Sequence, residues 1–112
     1  MKFIYLFRHG LTKEAERHLY CGSTDVPLSP KGKELLQSQK AKMPCLEGFE
    51  FYTSGMKRSN QTATILYPDK ILKTDSRLRE MDFGLFECKS YDELKDYDLY
   101  QKWIQGNNVE NI

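Results

Sequence analysis

Length, composition and charge place this chain among ordinary folded proteins. Its 112 residues are enough for one domain, spanning residues 1–112, with one modest core. A hydrophobic fraction of 39% and a charged fraction of 29% exclude a disordered or fibrous protein. The net charge is only +1, with basic and acidic side chains mixed along the sequence. This balance predicts neither a nucleic-acid-binding nor a membrane-binding protein.

The N-terminal run and the cysteines indicate a cytoplasmic protein. The apolar run at the N-terminus ends at Arg8, which makes it too short for the hydrophobic part of a signal peptide. The cysteines at positions 21, 45 and 88 are widely separated and odd in number. This pattern favours neither a disulfide framework nor a zinc site, so reduced thiols are the simplest interpretation.

The first half of the chain predicts a strand, a loop and a helix. Residues 3–7 (FIYLF) form a continuous apolar run, which is typical of a fully buried strand in a parallel sheet. Residues 22–30 (GSTDVPLSP) are rich in proline, glycine and small polar residues and predict a loop. Ser29 is placed to cap a helix that has Pro30 at its first position and that extends to about residue 42.

Alternating strands and helices continue in the second half. Strands are predicted at 49–53 (FEFYT) and at 70–73 (KILK), with a turn over 54–58 and a helix over about 59–66 between them. A capping box, SYDE at 90–93, opens a last helix that runs through residue 103 and ends near residue 106. This order predicts an α/β fold with three layers, α/β/α, and a mostly parallel sheet.

The motif Arg8-His9-Gly10 follows the first predicted strand. Ligands bind beyond the carboxyl ends of strands in open α/β sheets, so this motif is placed at a binding edge. A histidine ring nitrogen can attack phosphorus, and a neighbouring guanidinium can hold two phosphoryl oxygens. Glycine lets the backbone approach a ligand closely. A solvated Arg-His pair in a loop is the alternative, and the triplet alone does not decide between them.

Two further residues fit the same chemistry. Arg58 follows the second predicted strand at the entrance of a helix, where amides and dipole favour an anion and where it would converge with Arg8 on one phosphoryl group. Glu80 lies in the segment LREMDFGLFE, and a carboxyl beside an anionic phosphate is suited to protonate a leaving alkoxide. Each residue alone is more simply a solvated surface charge.

Four segments in this order resemble the histidine phosphatase superfamily, also called the phosphoglycerate-mutase-like family. They are RHGLT at 8–12, CGSTDVPLSPKG at 21–32, TSGMKRSNQTA at 53–63 and LREMDFGLFE at 78–87. The resemblance covers essentially the whole chain, and the stretch LYCGSTDVPLS is especially similar to small bacterial α-ribazole phosphatases. It implies the phosphoglycerate-mutase-like fold, of which this chain would form the N-terminal portion.

The resemblance also implies a role for individual residues. His9 would become phosphohistidine, Arg8 and Arg58 would bind the phosphoryl oxygens, and Glu80 would donate a proton to the leaving group. The remaining matches lie next to the phosphate loop or in the substrate pocket, and they are Thr12, Cys21 and Gly22. The implied partner is a small phosphorylated metabolite, and no metal or organic cofactor is implied.

The chain departs from the family pattern in two places. Members commonly carry an Asn six residues after the nucleophile, where this chain has Ala15, and a lost charge-assisted hydrogen bond costs about 1.5–3 kcal/mol of whatever it supports. A second catalytic histidine in a His-Gly-Gly-like turn is also missing, because His18 lies in an unrelated context and is expected at the surface. The chain therefore resembles a C-terminally truncated member that lacks the later strands.

Three functions remain open at this stage. Hydrolysis of a phosphomonoester through phosphohistidine is favoured over a phosphoglycerate-type mutase, because little room exists between Glu87 and Ser90 for the insertion that mutases hold over the pocket. An inactive remnant that only binds phosphate-bearing ligands is the third. In each case, missing strands would expose a sheet edge and an apolar face, so the chain is expected either to be marginally stable or to self-associate.

Overall fold

The computed structural model describes residues 2–106. Within this range the α-helices are α1 Lys13–Glu16, α2 Pro30–Gln39, α3 Lys57–Leu66, α4 Tyr91–Leu94 and α5 Asp98–Ile104. The strands are β1 Leu19–Tyr20, β2 Phe51–Thr53, β3 Leu72–Thr74 and β4 Lys89–Ser90. Single 3₁₀ turns are formed by Lys40–Lys42, Ser76–Leu78 and Gly84–Phe86. Among these helices, none has the length and apolar character needed to cross a membrane.

The strands form two small sheets of opposite type. β2 and β3 pair in parallel, with Phe51 opposite Leu72 and Thr53 opposite Thr74. A parallel pair needs a crossover connection, and α3 provides it. β1 and β4 pair antiparallel, with Leu19 opposite Ser90. The β2–α3–β3 unit confirms the predicted α/β class, although the parallel sheet has only two strands within the described residues.

Helix α2 begins where the sequence predicts and carries a glycine that lets another segment approach it. The hydroxyl of Ser29 accepts a hydrogen bond from the N–H of Gly32 (3.0 Å), which confirms the predicted cap. A Cβ at Gly32 would lie 2.1 Å from the carbonyl oxygen of Leu11. Only glycine at this position lets the segment that follows His9 lie directly against α2.

The last predicted helix divides into two. The capping box is confirmed, because the Ser90 hydroxyl accepts a hydrogen bond from the N–H of Glu93 (3.3 Å) and the Glu93 side chain returns to the Ser90 backbone. The helix stops after Leu94 and resumes at Asp98. Leu94 and Tyr100 would lie about 120° apart on a continuous helix. The break brings both side chains into one core, so tertiary packing overrides the local pattern.

No strand forms at residues 3–7, so the prediction of a fully buried strand is wrong for this structure. Tyr5 and Phe7 contact rings of other segments edge to face, whereas Ile4 and Leu6 are 84% and 91% exposed. Tyr5 and Phe7 are still 49% and 47% exposed, so one face of this extended segment is partly covered and the other is bare. A fully buried strand needs cover on both faces and hydrogen-bonded neighbours, which the described residues do not supply.

Two separate cores flank the loop of residues 22–28. One, called here the α2–α3 core, contains Leu28, Leu36 and Leu66 with Met43, Ile65 and Tyr67 packed around them. The other, called here the aromatic core, contains Phe86, Leu94 and Tyr100 with Tyr20, Phe83 and Trp103 packed around them. The hydroxyls of Tyr20 and Tyr100 lie 2.7 Å apart, and burial, followed by this hydrogen bond, raises the pKa of Tyr100 to about 12.

Replacing Gly32 with alanine tests the close contact between α2 and the segment at Leu11. We expect Gly32→Ala to lower the free energy of unfolding by about 1–3 kcal/mol, because the new methyl group overlaps a backbone oxygen that cannot rotate away. Without that contact, the change would raise helix stability by about 1 kcal/mol. Urea unfolding followed by circular dichroism measures the difference. The control is Gln37→Ala on the exposed face of the same helix, and a stabilised Gly32→Ala variant would contradict the contact.

Candidate functional site

The geometry around His9 leaves one ring nitrogen free. His9 is half-buried, and its Nδ1 lies 2.7 Å from the carbonyl oxygen of Gly10. A carbonyl oxygen can only accept a hydrogen bond, so Nδ1 is the protonated nitrogen in this contact. In the neutral ring, Nε2 then carries the lone pair. The backbone of the motif therefore selects the tautomer in which Nε2 is the nucleophilic atom.

A short hydrogen-bond chain fixes the His9 turn to α3. The N–H of Gly10 donates to the Oγ1 of Thr62 (2.9 Å), and the Thr62 hydroxyl donates to the carbonyl of Arg58 (2.7 Å). Thr62 is buried, so both bonds form away from solvent. These hydrogen bonds bring the first and second sequence motifs together, although the first motif does not follow a strand within the described residues.

Arg58 is the most buried charged side chain of the site, with 3% of its surface exposed. Its Nη1 donates to the carbonyl of Thr24 (2.7 Å) and its Nη2 donates to the carbonyl of Gly22 (2.6 Å). None of the ion pairs within residues 2–106 includes Arg58. The guanidinium is therefore oriented by carbonyl dipoles rather than neutralised by a carboxylate, and a buried cation of this kind favours an anionic ligand.

Glu87 organises the loop that orients Arg58, and sequence reasoning missed it. Its carboxylate accepts hydrogen bonds from the N–H groups of Gly22 (3.0 Å), Thr24 (2.9 Å) and Phe83 (2.8 Å), and from the Thr24 hydroxyl (2.7 Å). Burial by itself raises the pKa of Glu87, but the bonds from Thr24, Gly22 and Phe83 outweigh it, and the pKa lies below its ordinary value. Its place at the end of the fourth motif is the only sequence signal of this role.

Gly22 and Cys21 are held by protein groups on both sides of the loop. A Cβ at Gly22 would lie 1.6 Å from the carbonyl oxygen of Met81, so no other residue fits. The Sγ of Cys21 lies 3.3 Å from the Sγ of Cys88. Burial, and then the hydrogen bond with Cys88, raise the pKa of the Cys21 thiol to about 12. Cys21 and Gly22 therefore have a structural role in the loop, and their role in a substrate pocket stays a prediction.

Thr12, Arg8 and Glu80 are not brought into the Arg58 network. Thr12 is buried, and its Oγ1 accepts a hydrogen bond from the N–H of Ala15 (3.0 Å), which caps α1. Arg8 is exposed. Glu80 is also exposed, and its Oε1 accepts a hydrogen bond from the N–H of Met81 (2.9 Å). The structure therefore brings together the His9 turn, Arg58 and Gly22, and leaves two predicted charged groups facing solvent.

The N-terminus of α3 is already in contact with a carboxylate. The Oδ1 of Asp25 accepts a hydrogen bond from the N–H of Lys57 (2.7 Å), the first residue of the helix. An acidic side chain at this position complements the helix dipole. The sequence predicts that this helix end would favour an anion, and in the structure the Asp25 carboxylate is the anion that the Lys57 amide binds.

A cleft of about 870 Å³ lies beside His9. Most of its wall is apolar and comes from residues 3–7 and 48–53, and its polar residues include His9, Ser54, Ser59 and Thr62. Arg8, Arg58 and Glu80 do not line it. Within residues 2–106, no group of three or more His, Cys, Asp and Glu side chains is placed to hold a metal ion.

A family model and a curated relative match most of the chain. The model for the histidine phosphatase superfamily (branch 1) matches residues 4–111. The relative named probable phosphoglycerate mutase GpmB from Enterobacter sp. (strain 638) is 37% identical over 113 aligned positions, which cover 96% of this chain and 51% of the relative. The chain thus spans about half the length of the curated relatives it matches.

Solved structures give the same picture of the fold. A putative α-ribazole-5'-P phosphatase from Escherichia coli str. K-12 substr. MG1655 superposes with a TM-score of 0.79 at 24% identity, over 88% of this chain and 50% of that one. A phosphoserine phosphatase from Entamoeba histolytica, solved in complex with 3-phosphoglyceric acid, gives 0.75 at 25% identity, over 89% and 50%. The α/β fold predicted from the sequence is therefore confirmed.

Replacing the Glu87 carboxylate with an amide tests its role in the loop. We expect Glu87→Gln to lower the free energy of unfolding at pH 7 by about 1.5–3 kcal/mol, because an amide cannot accept all of these hydrogen bonds. The folded-state pKa lies below the ordinary value of 4.5, so the carboxylate stabilises the fold fully above that value. Its contribution is lost as the pH falls through the folded-state pKa.

Urea unfolding at pH 7 and at points below pH 4.5 measures this difference. The gap between wild type and Glu87→Gln should close as the pH falls. Glu34→Gln, at an exposed carboxylate on α2, is the control and should change stability little at any pH. A gap that stays constant down to pH 3 would mean that the charge of Glu87 does not hold the loop.

Proposed function

Because this chain belongs to the histidine phosphatase superfamily (branch 1), we propose that it hydrolyses phosphomonoesters through a phosphohistidine on His9. The observation that carries the proposal is the buried Arg58 guanidinium, which lacks a carboxylate partner within residues 2–106 and is tied to the His9 turn through Thr62 and Gly10. Phosphoryl transfer uses a fixed cation to offset the charge of the phosphoryl oxygens, and the Arg58 guanidinium is held in place by the carbonyls of Gly22 and Thr24.

The proposed reaction has two displacement steps at phosphorus. In the first, Nε2 of His9 forms a bond to phosphorus while the bond to the alcohol oxygen breaks, and the electron pair leaves with that oxygen. Arg8 and Arg58 offset the charge on the phosphoryl oxygens, and Glu80 gives its proton to the leaving oxygen. In the second, water attacks phosphorus and gives its proton to the Glu80 carboxylate, the P–N bond breaks, and inorganic phosphate is released with His9 and Glu80 restored.

This proposal requires Arg8 and Glu80 to turn toward the phosphoryl group when substrate binds. Both side chains are exposed, so neither has to break a buried contact to do so. Catalytic hydrogen bonds often form only in the substrate complex, and solvent-facing positions in the free protein are compatible with the roles. Arg58 differs, because it is oriented before substrate arrives.

The substrate class that we propose is a small phosphorylated metabolite, and the protein's proposed location is the cytoplasm. One structural neighbour was solved with 3-phosphoglyceric acid, and the curated relative is named as a probable phosphoglycerate mutase. A mutase differs only in that a second hydroxyl, rather than water, accepts the phosphoryl group. An inactive chain that binds phosphate-bearing ligands is the alternative from another class, and the exposed Ala15 at the usual Asn position favours it.

The two histidines allow a matched test of the nucleophile. We expect His9→Ala to lower the rate of p-nitrophenyl phosphate hydrolysis by about 10³-fold or more, because no other group replaces the attacking nitrogen. The control is His18→Asn. His18 is exposed and has φ +56°, a left-handed conformation that asparagine accepts, so this variant should keep wild-type activity.

The covalent intermediate gives a second measurement. An acid-labile, base-stable phosphoryl label should appear on wild type and His18→Asn and be absent from His9→Ala. If wild type and His9→Ala are equally inert from pH 5 to 8 but phosphate still raises the wild-type melting temperature, the chain is a binding remnant. Equal turnover by wild type and His9→Ala would contradict a histidine nucleophile altogether.

We also propose that the chain associates with a second copy through the outer face of residues 3–7. The side chains of Ile4 and Leu6 are almost fully exposed and lie in an extended segment whose opposite face is only partly covered. An extended segment with a bare apolar face can pair with the same segment of another molecule. The small net charge of +1 offers little repulsion between copies.

Adding charge to this face tests the association. We expect the double variant Ile4→Lys/Leu6→Lys to be monomeric in sedimentation velocity at concentrations where wild type is dimeric or larger, because two lysines at the interface repel their counterparts. The control is Ile71→Lys, since Ile71 is 87% exposed but lies outside the segment. A wild type that sediments as a monomer across this range, with a melt independent of concentration, would refute the association.

A further inference from the structure

Two cysteines that are far apart in sequence meet beside the Arg58 loop. The Sγ atoms of Cys21 and Cys88 lie 3.3 Å apart although 67 positions separate the residues. Both side chains are half-buried, whereas Cys45 is exposed. The wide spacing of the cysteines, which argues against a disulfide framework at the level of sequence, is overcome by the pairing of β1 with β4.

The antiparallel sheet brings the two cysteines together. Leu19 lies opposite Ser90 and Tyr20 lies opposite Lys89, so Cys21 directly follows β1 and Cys88 directly precedes β4. The N–H of Cys88 donates to the carbonyl of Tyr20 (2.6 Å) and Cys88 has φ +59°, so the two cysteines lie at an irregular end of the sheet. Their sulfur atoms are in contact at 3.3 Å before any oxidation, and closure to an S–S bond of about 2.05 Å requires a further approach of the two sulfurs.

We propose that Cys21 and Cys88 are an oxidation site that closes to an intramolecular disulfide in the folded protein. The co-reactant is a low-molecular-weight disulfide such as oxidised glutathione. Cys88 sulfur attacks that disulfide and releases one reduced thiol, and Cys21 sulfur then attacks the Cys88 sulfur and releases the second. Two protein thiols are oxidised to one disulfide, and the oxidant takes up two electrons and two protons.

Cys88 reacts first because the surroundings of Cys21 oppose its ionisation. Burial, the hydrogen bond with Cys88 and the nearby carboxylates Glu14 and Glu87 raise the pKa of Cys21 to about 12. A thiol of this kind is a poor first nucleophile and serves as the resolving partner. Its proton leaves only as the new S–S bond forms.

The disulfide would join the two segments that position Arg58. Cys21 precedes Gly22, whose carbonyl accepts a hydrogen bond from Arg58, and Cys88 follows Glu87, whose carboxylate accepts one from the Gly22 N–H. A covalent bond at this point holds the Gly22 segment to the Glu87 turn even when the carboxylate is protonated. The proposal does not depend on the enzymatic activity, because it concerns only this pair of thiols.

Which two cysteines become linked shows whether the fold directs the oxidation or whether the thiols react at random. The full chain is equilibrated with reduced and oxidised glutathione, the remaining thiols are blocked with N-ethylmaleimide, and the linkage is mapped by mass spectrometry. We expect the native protein to lose 2 Da, keep only Cys45 as a free thiol, and show a Cys21–Cys88 link. Loop closure in an unfolded chain instead favours the shorter Cys21–Cys45 link, by about fivefold.

Repeating the equilibration in denaturing urea gives the control for the fold. The equilibrium constant for the Cys21–Cys88 link should be at least about tenfold higher in buffer than in urea, because the fold raises the effective concentration of the two thiols. Cys21→Ser and Cys88→Ser should each form no intramolecular link in buffer, while Cys45→Ser should behave as wild type. Three results would overturn the proposal. They are a link that contains Cys45 in buffer, three free thiols in buffer under conditions that oxidise the urea sample, and an equal equilibrium constant for the Cys21–Cys88 link in buffer and in urea.

Discussion

The structure around the candidate site depends on the loop residues Gly22 and Thr24, because both Glu87 and Arg58 form hydrogen bonds with them. The carboxylate binds the N–H groups of Gly22 and Thr24, and the guanidinium binds their carbonyls. The two charged groups therefore hold the same two residues, although they form no ion pair with each other. The loop gains a fixed shape, and the guanidinium is oriented by carbonyls with no carboxylate partner within residues 2–106.

The two hydrophobic cores explain why this contact can persist. The aromatic core holds the turn that carries Glu87, since Phe83 and Phe86 both pack in it. The α2–α3 core holds the helix that carries Arg58, and Leu66 at the end of that helix is one of its members. The loop of residues 22–28 runs between them and is anchored at both ends by burial. Apolar packing thus places the segments that carry the two charged groups, and the hydrogen bonds fix the loop between them.

The apolar segment of residues 3–7 shows the opposite situation. Its composition is that of a core strand, yet the described residues cover one face only in part and leave Ile4 and Leu6 in solvent. The segment borders the cleft beside His9. His9 therefore lies between a polar hydrogen-bond network, which reaches it through Gly10 and Thr62, and an exposed apolar surface. Any molecule that covers this surface also changes the surroundings of His9.

The sequence by itself determined the features that local chemistry controls. The Ser29 cap, the capping box at Ser90 and the α/β class follow from residue types at fixed spacing, and four motifs in order determined the family. The tertiary structure alone decided the features that need distant residues to meet. The role of Glu87, the contact of Cys21 with Cys88 and the bare face of residues 3–7 depend on which segments pack together. Spacing along the chain encodes local hydrogen bonds, whereas partners more than 60 positions apart are chosen by burial and sheet register, which no short motif records.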